Sequence, residues 1–513
     1  MRLSIRLLGF LGALVLVHPL QAQGVELQPR LGEPLAGLSA SELARFELGE
    51  VEFGHTFTEA EGLGPIFNEA SCAACHNSPF GGAGTKLVTR FGMVDLKTGA
   101  FDPLADLGGS LLQSQAISPA CQEFVSPLAN VTASRLTTPT FGTGLVEAIP
   151  DADIAALASN PPPGVSGVVH MVPLLEDLGA PLRVGRFGWK AQLATVLSFS
   201  ADATLQEIGI TSPILPNENA PNGDDILLAA CDSVADPEDF PDGQGVLFVE
   251  RVTDFQRFLA PPPQTPRSGM MGEAAFHAIG CADCHVPSFT TRDDVQLEPA
   301  LRDRTLKPYS DFLLHDMGQT ADFIEQGDAA ARELRTTPLW GLRVRDPLWH
   351  DGRVGGGTFA DRIAGPGGAI DQHDAVLSEA RASAQAFKLL SQLDQDAVVA
   401  FLDSLGRAEF DHDGNGIVER SDLLVFLSCF TGPGYFYTPD DPCSISDIDQ
   451  DGDVDDDDLA LLRQAYQVDC NGNGQSDLTD IAQGTSADGN IDHVPDECQE
   501  NPIRKPNRFL RGP

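Results

Sequence analysis

The 513-residue sequence predicts a mainly α fold with two tandem domains, long loop insertions and a small α tail. Three observations predict this organisation. A short cysteine–histidine motif occurs twice, a Thr-Thr-Pro segment follows each copy, and the acidic C-terminal region repeats aspartates and glycines at fixed spacing. A duplicated motif favours a duplicated domain. The change of composition after Leu405 predicts that the tail is a separate unit.

The duplicated motif reads Cys-x-x-Cys-His, at Cys72, Cys75 and His76 and again at Cys281, Cys284 and His285. On one turn of helix the two thiols can each add to a vinyl group of a haem, and the adjacent imidazole then reaches the iron. A thioredoxin-like redox pair or half of a zinc site also uses Cys-x-x-Cys. Neither needs the histidine, and no second Cys-x-x-Cys lies at zinc spacing. The sequence therefore predicts two covalent c-type haems, each in a cytochrome c-like domain.

The internal repeat suggests where the domains begin and end. Residues 135–142 resemble residues 334–341, and a tryptophan segment follows each copy, around Trp189 and Trp349. A proline-rich stretch at residues 261–266 predicts a stiff linker between the copies. The predicted units are a signal peptide at 1–22, a first haem domain with insertions at 23–262, a second haem domain at 263–405, calcium-binding repeats at 406–500 and a short basic tail at 501–513.

Local patterns predict some elements of secondary structure and leave others undefined. Residues 39–50 predict a helix with Ser39 or Ser41 as N-cap, and residues 377–390 predict an amphipathic helix. Residues 81–130 give few signals, so they are predicted to be loop-rich.

The N-terminus reads as a secretory signal, with Arg2 and Arg6 before an apolar run at residues 7–17 that is short for a membrane span. We therefore expect an exported protein of the periplasm, cell surface or exterior that is not an integral membrane protein. Export suits covalent haem, which is attached outside the cytoplasm, and it permits disulfide bonds. The order of the remaining cysteines suggests the pairs Cys121–Cys231, Cys429–Cys443 and Cys470–Cys498.

Composition narrows the class of partner. A hydrophobic content of 42% is sufficient for buried cores in a chain of this length. The formal net charge of −41 argues against nucleic-acid binding, which requires a basic face, and it suits a basic protein partner.

The acidic tail repeats the ligand pattern of an EF-hand loop. Loop positions 1, 3, 5, 9 and 12 are Asp411, Asp413, Asn415, Glu419 and Asp422 in loop one, Asp447, Asp449, Asp451, Asp455 and Asp458 in loop two, and Asp469, Asn471, Asn473, Asp477 and Asp480 in loop three. Position 6 is glycine in all three, and a fourth trace at residues 488–499 has His493 there. A disordered acidic tail is the alternative, but the phased glycines and the apolar segments after the loops favour calcium. Asp at position 12 is typical of dockerin-type modules.

The function of a haem protein depends on what holds the second face of each iron. A strong sixth ligand on both irons gives electron transfer only, whereas an open position permits chemistry on a small molecule. Outside the signal and the tail, the candidate ligands are His55, His170, His277, His315, His350, His373, Met93, Met171, Met270, Met271 and Met317. Residue type alone does not choose among them.

Several segments resemble a known family. They are Gly62-Leu63-Gly64-Pro65 with the first motif, Gly185-Arg186-Phe187-Gly188-Trp189-Lys190-Ala191, Leu314-His315-Asp316-Met317-Gly318 and His350-Asp351-Gly352-Arg353. Over about residues 35–405 the chain is similar to the di-haem oxidoreductase (thiol oxidoreductase-like) family, which is related to the bacterial di-haem cytochrome c peroxidases. The tail resembles the dockerin-like ends of other exported proteins.

The resemblance implies roles for individual residues. His373 lies where the peroxidases carry the methionine ligand of the second haem, so a His285/His373 pair is expected there, with His315 as the alternative. Imidazole in place of thioether should lower the reduction potential of that haem. Glu207 corresponds to a distal carboxylate above an open first haem, and Trp189 to an electron bridge between the haems. The glutamine that usually accompanies the carboxylate falls near Phe199, which is a departure from the family pattern.

Together these inferences predict an enzyme, an exported di-haem c-type oxidoreductase of peroxidase type. Electrons would pass through haem two to an open haem one that reacts with peroxide. The alternatives are a di-haem oxidase or oxygenase of an organic substrate and a purely electron-transferring di-haem cytochrome. The expected partners are a small cytochrome or cupredoxin as electron donor and a cohesin-like or other surface partner for the calcium-binding tail.

Overall fold

The structure is a computed structural model that describes residues 25–267 and 269–499. It is rich in helix and contains only small antiparallel sheets, as the sequence predicted, whereas the tandem cytochrome c-like domains and the EF-hand tail stay predictions. The predicted signal peptide and the predicted basic tail lie outside the described residues. Within the described part of the chain, every helix is too short or too polar to cross a membrane.

The α-helices of the described residues are α1 (Ala40–Phe53), α2 (Cys72–Cys75), α3 (Thr143–Glu147), α4 (Asp151–Ser159), α5 (Val196–Ala203), α6 (Asp225–Cys231), α7 (Phe248–Phe258), α8 (Met271–Ala278), α9 (Phe359–Ala364), α10 (Ala369–His373), α11 (Arg381–Leu389), α12 (Gln392–Ser404), α13 (Arg420–Cys429), α14 (Asp456–Ala465), α15 (Asp477–Gln483) and α16 (Asp496–Gln499). Ser39 caps α1 through a capping box with Glu42. The predicted helix at 377–390 begins only at Arg381. Leu377 has a left-handed φ of 70°, so it cannot continue a helix.

The strands are β1 (Ile66–Phe67), β2 (Leu87–Val94), β3 (Phe101–Asp102), β4 (Ser110–Leu112), β5 (Gln115–Ala116), β6 (Val131–Leu136), β7 (Met171–Val172), β8 (Arg183–Val184), β9 (Phe289–Thr290), β10 (Thr305–Leu306), β11 (Leu314–Asp316) and β12 (Glu333–Arg335). β2 is the centre of a four-stranded antiparallel sheet with β3, β4 and β6, and the other strands pair as β1 with β5, β7 with β8, β9 with β10 and β11 with β12. The loop-rich prediction for residues 81–130 holds for most of that range, but it missed β2, β3, β4 and β5. Arg90 of β2 lies opposite Leu111 and Ala133, and such distant partners leave little trace in a local pattern.

A helix crossing fixes the segment before the first Cys-x-x-Cys-His motif. α1 packs against α7, and a Cβ atom added at Gly49 would lie 2.4 Å from the carbonyl oxygen of Arg251. The ring of Phe255 lies 5.2 Å from that of Phe46 and 4.7 Å from that of Phe53, measured between centroids. Glycine at the crossing point allows this close approach of the two backbones.

The second motif follows a crossing of the same kind. α8 packs against α12, and a Cβ atom at Gly272 would lie 2.0 Å from the carbonyl oxygen of Ala397. Phe276 and Phe401 contact each other with ring centroids 5.6 Å apart. Each motif thus follows a helix that is held by another helix far along the chain. The predicted domain boundaries remain predictions, although these two crossings lie within them.

The tail has an apolar core of its own, which includes Phe410, Phe426 and Leu462. The N-terminal residues Val25 and Leu27 pack against this core, so the two ends of the described chain are in contact. Burial of apolar side chains from both ends stabilises their association.

The three disulfides suggested by cysteine order are confirmed. Their Cα–Cα distances are 6.0 Å for Cys121–Cys231, 5.3 Å for Cys429–Cys443 and 6.0 Å for Cys470–Cys498. These distances lie within the usual range for a disulfide. The four cysteines of the Cys-x-x-Cys-His motifs remain free thiols, so neither motif forms an internal disulfide.

Candidate functional site

The first motif, here called the haem-one site, is a short helix followed by a fixed histidine. Cys72 and Cys75 begin and end α2, and His76 follows directly. The Nδ1 atom of His76 donates to the carbonyl oxygen of Gly82 at 3.1 Å. This hydrogen bond fixes the tautomer that leaves Nε2 as a lone-pair donor, as metal-bound histidines require. Burial lowers the pKa of His76 to about 4, so its imidazole is neutral at neutral pH.

The second motif, the haem-two site, has the same histidine arrangement. Gly280 takes a left-handed φ of 82° and starts the turn Cys281–Asp283. The Nδ1 atom of His285 donates to the carbonyl oxygen of Tyr309 at 2.9 Å. Burial first, and then the charge of His373, lower the pKa of His285 to about 4. This imidazole too presents a free Nε2.

A cavity adjoins the haem-two site. Its empty space is about 1400 Å³ when the part open to solvent is included, and its lining is mostly apolar. Cys281, Cys284, His285 and His373 all line it. A large apolar cavity with two thiols and an imidazole on one side fits a porphyrin.

His373, the predicted sixth ligand, lines the same cavity as His285. The two imidazole centroids are 6.4 Å apart. Because an imidazole nitrogen lies about 2 Å from a bound metal, two imidazoles on opposite faces of one metal have centroids about 6–6.5 Å apart. The Nδ1 atom of His373 donates to the carbonyl oxygen of Ala369 at 2.7 Å, which again leaves Nε2 free. His373 therefore lies close to the second motif, and its role as the sixth ligand stays a prediction.

His315, the alternative ligand, is fully engaged elsewhere. Its Nε2 atom contacts Asp311 at 2.8 Å and its Nδ1 atom contacts Glu379 at 2.9 Å. Burial alone would lower the pKa of His315, but hydrogen bonds to Asp311, Cys284 and Glu379 outweigh burial and raise the pKa to about 12. His315 is therefore a cation held between carboxylates, and neither nitrogen is free to bind iron.

Two buried arginines complete the cavity wall. Arg335 and Arg345 line it, and burial lowers the pKa of each to about 10, so both remain cationic at neutral pH. The Nε atom of Arg345 has no hydrogen-bond partner among the described residues. An orphaned guanidinium donor beside an apolar cavity suits a ligand with an anionic edge, as the carboxylates of a haem provide.

Glu207 lies near the haem-one site, where the resemblance implied it would. It is in a π-helical turn at Thr204–Ile208, a distortion frequent at functional sites. The Nδ2 atom of Asn68 donates to its carboxylate at 2.8 Å. Burial is the main cause that raises the pKa of Cys75, and the nearby negative charge of Glu207 raises this pKa further. Burial raises the pKa of Glu207 itself above that of a free carboxyl group, which favours uptake of a proton.

Arg90 of β2 supplies positive charge beside Glu207. Its Nη1 atom donates to Ser110 at 3.3 Å, and its buried Nε atom has no partner among the described residues. Within residues 25–267 and 269–499 it forms no ion pair within 4.0 Å. Its charge nevertheless lowers the pKa of both Glu207 and Asp202 against the effect of burial. Because the guanidinium of Arg90 does not contact the carboxylates of Glu207 and Asp202, it could bind a small polar ligand next to them.

Trp189, the predicted electron bridge, is buried beside the haem-two cavity. Its Nε1 atom donates to the carbonyl oxygen of Leu136 at 2.8 Å, and its ring lines the haem-two cavity. The rings of Trp189 and His350 are 6.2 Å apart, those of His350 and Trp349 6.3 Å, and those of Trp349 and His373 5.0 Å, all between centroids. Trp189 is thus the first of a row of aromatic rings that ends at His373.

A buried ion cluster holds the Trp189 segment in place. The Nζ atom of Lys190 lies 3.0 Å from Asp322, and Arg135 contacts the same carboxylate at 2.6 Å. The side chains of Lys190 and Asp322 are fully buried. Breaking such a network by removing one charge is costly, because the remaining charge stays buried without its partner.

The tail loops adopt one recurring geometry. In each loop the backbone N–H of position 6 donates to the carboxylate of position 1, at 3.0 Å for Gly416 and Asp411, 3.1 Å for Gly452 and Asp447, and 2.9 Å for Gly474 and Asp469. Position 6 has a positive φ throughout. The fourth trace has the same geometry. His493 has a φ of 63°, and its backbone N–H donates to the carboxylate of Asp488 at 2.9 Å.

Carboxylates converge in the first two loops. Ligand atoms of Asp411, Asp413 and Asp422 lie within 4.8 Å of one another, as do those of Asp447, Asp449 and Asp458. Oδ1 of Asp411 and Oδ1 of Asp447 are buried and have no partner among the described residues. Unpaired buried oxygens at loop position 1, with the carboxylates of positions 3 and 12 close by, suit a hard cation such as calcium.

The fold and the two paired histidine–thiol sites define a helix-rich protein of the di-haem class. A family model described as "Di-haem oxidoreductase, putative peroxidase" matches residues 125–405, more than half of the chain, and the chain belongs to this family. Membership implies two haems. The matched range contains Glu207 and the second motif and begins downstream of the first.

Two solved structures are similar to the chain at low identity. Hydrazine synthase of Kuenenia stuttgartiensis is 13% identical, with 78% of this chain and 100% of that chain covered and a TM-score of 0.31. A MauG-like protein associated with microbial copper homeostasis is 14% identical, with 74% of this chain and 93% of that chain covered and a TM-score of 0.31. No curated protein matches the chain.

Several functional side chains were not predicted from the sequence. The importance of three residues depends on their burial and on contacts with distant segments of the chain, and no local sequence pattern shows either. These residues are Arg345, Arg90 and Asn68. Trp349 was noted only as part of the repeat, and its contact with His373 depends on the position of α10.

Proposed function

We propose that this di-haem oxidoreductase is an exported c-type enzyme of peroxidase type. Thioether bonds through Cys72 and Cys75 and through Cys281 and Cys284 would hold the two haems. The haem-two site would transfer electrons, and the haem-one site would react with peroxide. Electrons would come from a small donor protein, and the negative charge of the chain favours a basic one.

The difference between the two sites carries this proposal. At the haem-two site, two imidazoles oriented by backbone carbonyls face each other at 6.4 Å, a spacing that suits a six-coordinate iron. Near the haem-one site, the charged groups that act on Cys75 are Glu207, Glu69 and Lys86. A carboxylate close to the metal can exchange protons with a small molecule bound there. The pair of sites therefore suits an electron relay beside a reactive centre.

Haem at both sites would supply one-electron redox chemistry and, at the haem-one site, an open iron position. Glu207 can take the proton from the inner oxygen of a peroxide and return it to the outer oxygen as that oxygen leaves. Asn68 holds the carboxylate in position. Arg90 favours the ionised form of Glu207, because its charge lowers the pKa that burial raises. Export is supported by the three disulfides, which persist in oxidising compartments.

An electron paramagnetic resonance spectrum of the ferric protein tests the proposal. We expect one low-spin iron and one high-spin iron per chain, together with peroxide consumption when a reduced small cytochrome is supplied. Two low-spin irons that ignore peroxide and carbon monoxide would instead indicate an electron carrier. Oxidation of an organic substrate without use of the reduced carrier would indicate an oxidase.

Removing the charge of Arg90 is expected to shift the pH dependence of the peroxide reaction. Glu207 must be ionised to accept a proton, so the rate falls as pH drops through its pKa. In Arg90→Leu that pKa rises further, because the lowering influence of the guanidinium is lost. The acid limb of the pH–rate profile should therefore move to higher pH. Arg90→Lys keeps the charge and should move the limb less, and an unshifted limb in Arg90→Leu would contradict the assignment.

We further propose that the tail binds calcium in loops one to three and serves as a dockerin-like anchoring module. Buried, unpaired carboxylate oxygens in loops one and two support this proposal. Loop three has the same backbone geometry with fewer acids, so its affinity should be lower. Its partner would be a cohesin-like or other surface protein.

Calcium is expected to raise the thermal stability of the tail. A site occupied at 100 times its dissociation constant stabilises the folded state by about 2.7 kcal/mol. Asp451→Asn, at position 5 of loop two, should reduce the gain measured by calorimetry with calcium and with chelator. Asp456→Asn changes the same charge at the exposed position 10 and should leave the gain intact. Equal losses in the two variants would speak against a specific site.

A further inference from the structure

Loop one of the tail is joined to the wall of the haem-two cavity by one arginine. The Nε atom of Arg343 donates to the carbonyl oxygen of Gly414 at 2.9 Å, and its Nη2 atom donates to the carbonyl oxygen of Asp413. Its Nη1 atom pairs with Asp403 at the end of α12. The guanidinium therefore connects the calcium loop, α12 and the turn that carries Arg343.

The shape of loop one is fitted to this guanidinium. A Cβ atom at Gly414 would lie 1.7 Å from Cζ of Arg343, and Gly414 has a left-handed φ of 70°. Only glycine satisfies both conditions without displacement of the arginine. The contact depends on the backbone carbonyls of loop positions 3 and 4, whose directions depend on how the loop is wound.

The other side of the same turn faces the haem-two cavity. Leu342 and Arg345, on either side of the connecting residue, both line the cavity, as does Leu402 beside Asp403. Arg362 donates to the carbonyl oxygen of Arg343 at 3.3 Å and braces the turn from α9. A movement of Arg343 would thus move two cavity-lining side chains directly.

Loop one is built to hold a cation. Asp411 is 3% exposed, and its Oδ1 atom has no hydrogen-bond partner among the described residues. Asp413 and Asp422 bring further carboxylate oxygens within 4.8 Å. Without a cation these like charges repel one another, and the loop is free to unwind.

We propose that calcium in loop one regulates the haem-two site, with Arg343 as the connection. The inference rests on the proposed function, since it needs both a haem at that site and calcium in the tail. A calcium-loaded loop keeps the carbonyls of Asp413 and Gly414 on the guanidinium, so the turn holds Arg345 against the cavity. When calcium leaves, the turn relaxes, the buried positive charge moves outward and water enters. Both changes disfavour the reduced haem, so its reduction potential falls.

Loop two provides an internal control for this coupling. It has the same ligand pattern, but in the described residues no hydrogen bond or ion pair joins residues 447–458 to the turn at 342–345. Asp413→Asn and Asp449→Asn change the same loop position by the same charge, one in each loop. Only the change in loop one should alter the haem-two potential.

The experiment is a redox titration of the full-length holoprotein with calcium and with chelator. We expect a lower haem-two potential after chelation, the same lowering in Asp413→Asn at limiting calcium, and none in Asp449→Asn. Arg343→Gln should still bind calcium but lose the response, and Gly414→Ala gives a second way to displace the guanidinium. By linkage, calcium should bind the reduced protein more tightly than the oxidised protein, by the factor that corresponds to the potential shift.

The outcomes separate this inference from the function on which it rests. A protein that binds no calcium, or lacks a low-spin haem-two signal, would overturn the proposed function and the coupling together. If calcium binds and the low-spin signal is present, a potential that ignores calcium overturns the coupling alone. A response of Asp449→Asn equal to that of Asp413→Asn would also overturn it, as would a full response in Arg343→Gln.

Discussion

Glu207→Gln is expected to slow the reaction with peroxide by about 10²–10⁴-fold, the usual contribution of a positioned acid–base group. Glutamine keeps the size of the side chain and can still contact Asn68, but it cannot take up and return a proton. Haem content and the low-spin signal should be unchanged, because the groups that interact with the Glu207 side chain, such as Asn68 and Arg90, do not belong to the haem-two site. Stopped-flow measurement of the reaction of the reduced protein with peroxide gives the rate directly.

Glu69→Gln is the matched control for this prediction. Glu69 follows Asn68 in the chain, and its carboxylate pairs with Lys86. Removal of this half-buried charge should change the rate only slightly. A rate in Glu207→Gln equal to that of the unaltered protein would remove Glu207 from the mechanism. Equal slowing by both variants would show that general electrostatics, and not proton transfer, set the rate.

Replacement of His373 by alanine is expected to convert the haem-two iron from low spin to high spin. The cavity would then have one imidazole, that of His285, and an exogenous ligand could enter from the side that His373 leaves. Electron paramagnetic resonance should show two high-spin irons per chain, and cyanide should bind at two sites instead of one. Electron delivery to peroxide should slow, because the relay site is altered.

Two variants test whether this effect is specific. His277→Gln alters an exposed histidine of α8 and should leave the spectrum unchanged. His373→Met supplies a thioether, which should keep the iron low-spin and raise its reduction potential. A persistent low-spin signal in His373→Ala would show that another side chain is the ligand.

The sequence was most informative where chemistry depends on short spacing. A Cys-x-x-Cys-His segment contains its two thiols and its histidine within five residues, and an EF-hand loop contains its ligands within twelve. Cysteine order was sufficient for the disulfides, because each cysteine pairs with the next one outside the two haem motifs. The position of Ser39 before α1 followed from capping, which is also a local effect.

Features that depend on distant contacts were not predictable. β2 obtains its partners from strands that follow it at different distances, so no single window shows the sheet. Arg345 reads as an ordinary surface cation until burial shows that it lines a cavity. The sequence alone does not distinguish His315 from His373 as an iron ligand. In the structure, carboxylates bind both ring nitrogens of His315, whereas Nε2 of His373 is free.

The contact between Val25, Leu27 and the tail core has a practical consequence for work with fragments. A recombinant piece that starts near residue 406 would lack the two side chains that cover part of its interior. Such a piece should expose apolar surface and self-associate, whereas co-expression with a peptide of residues 25–35 should restore a monomer. The tail is thus less portable than an appended anchoring module, and its exchange between proteins would require the matching N-terminal segment.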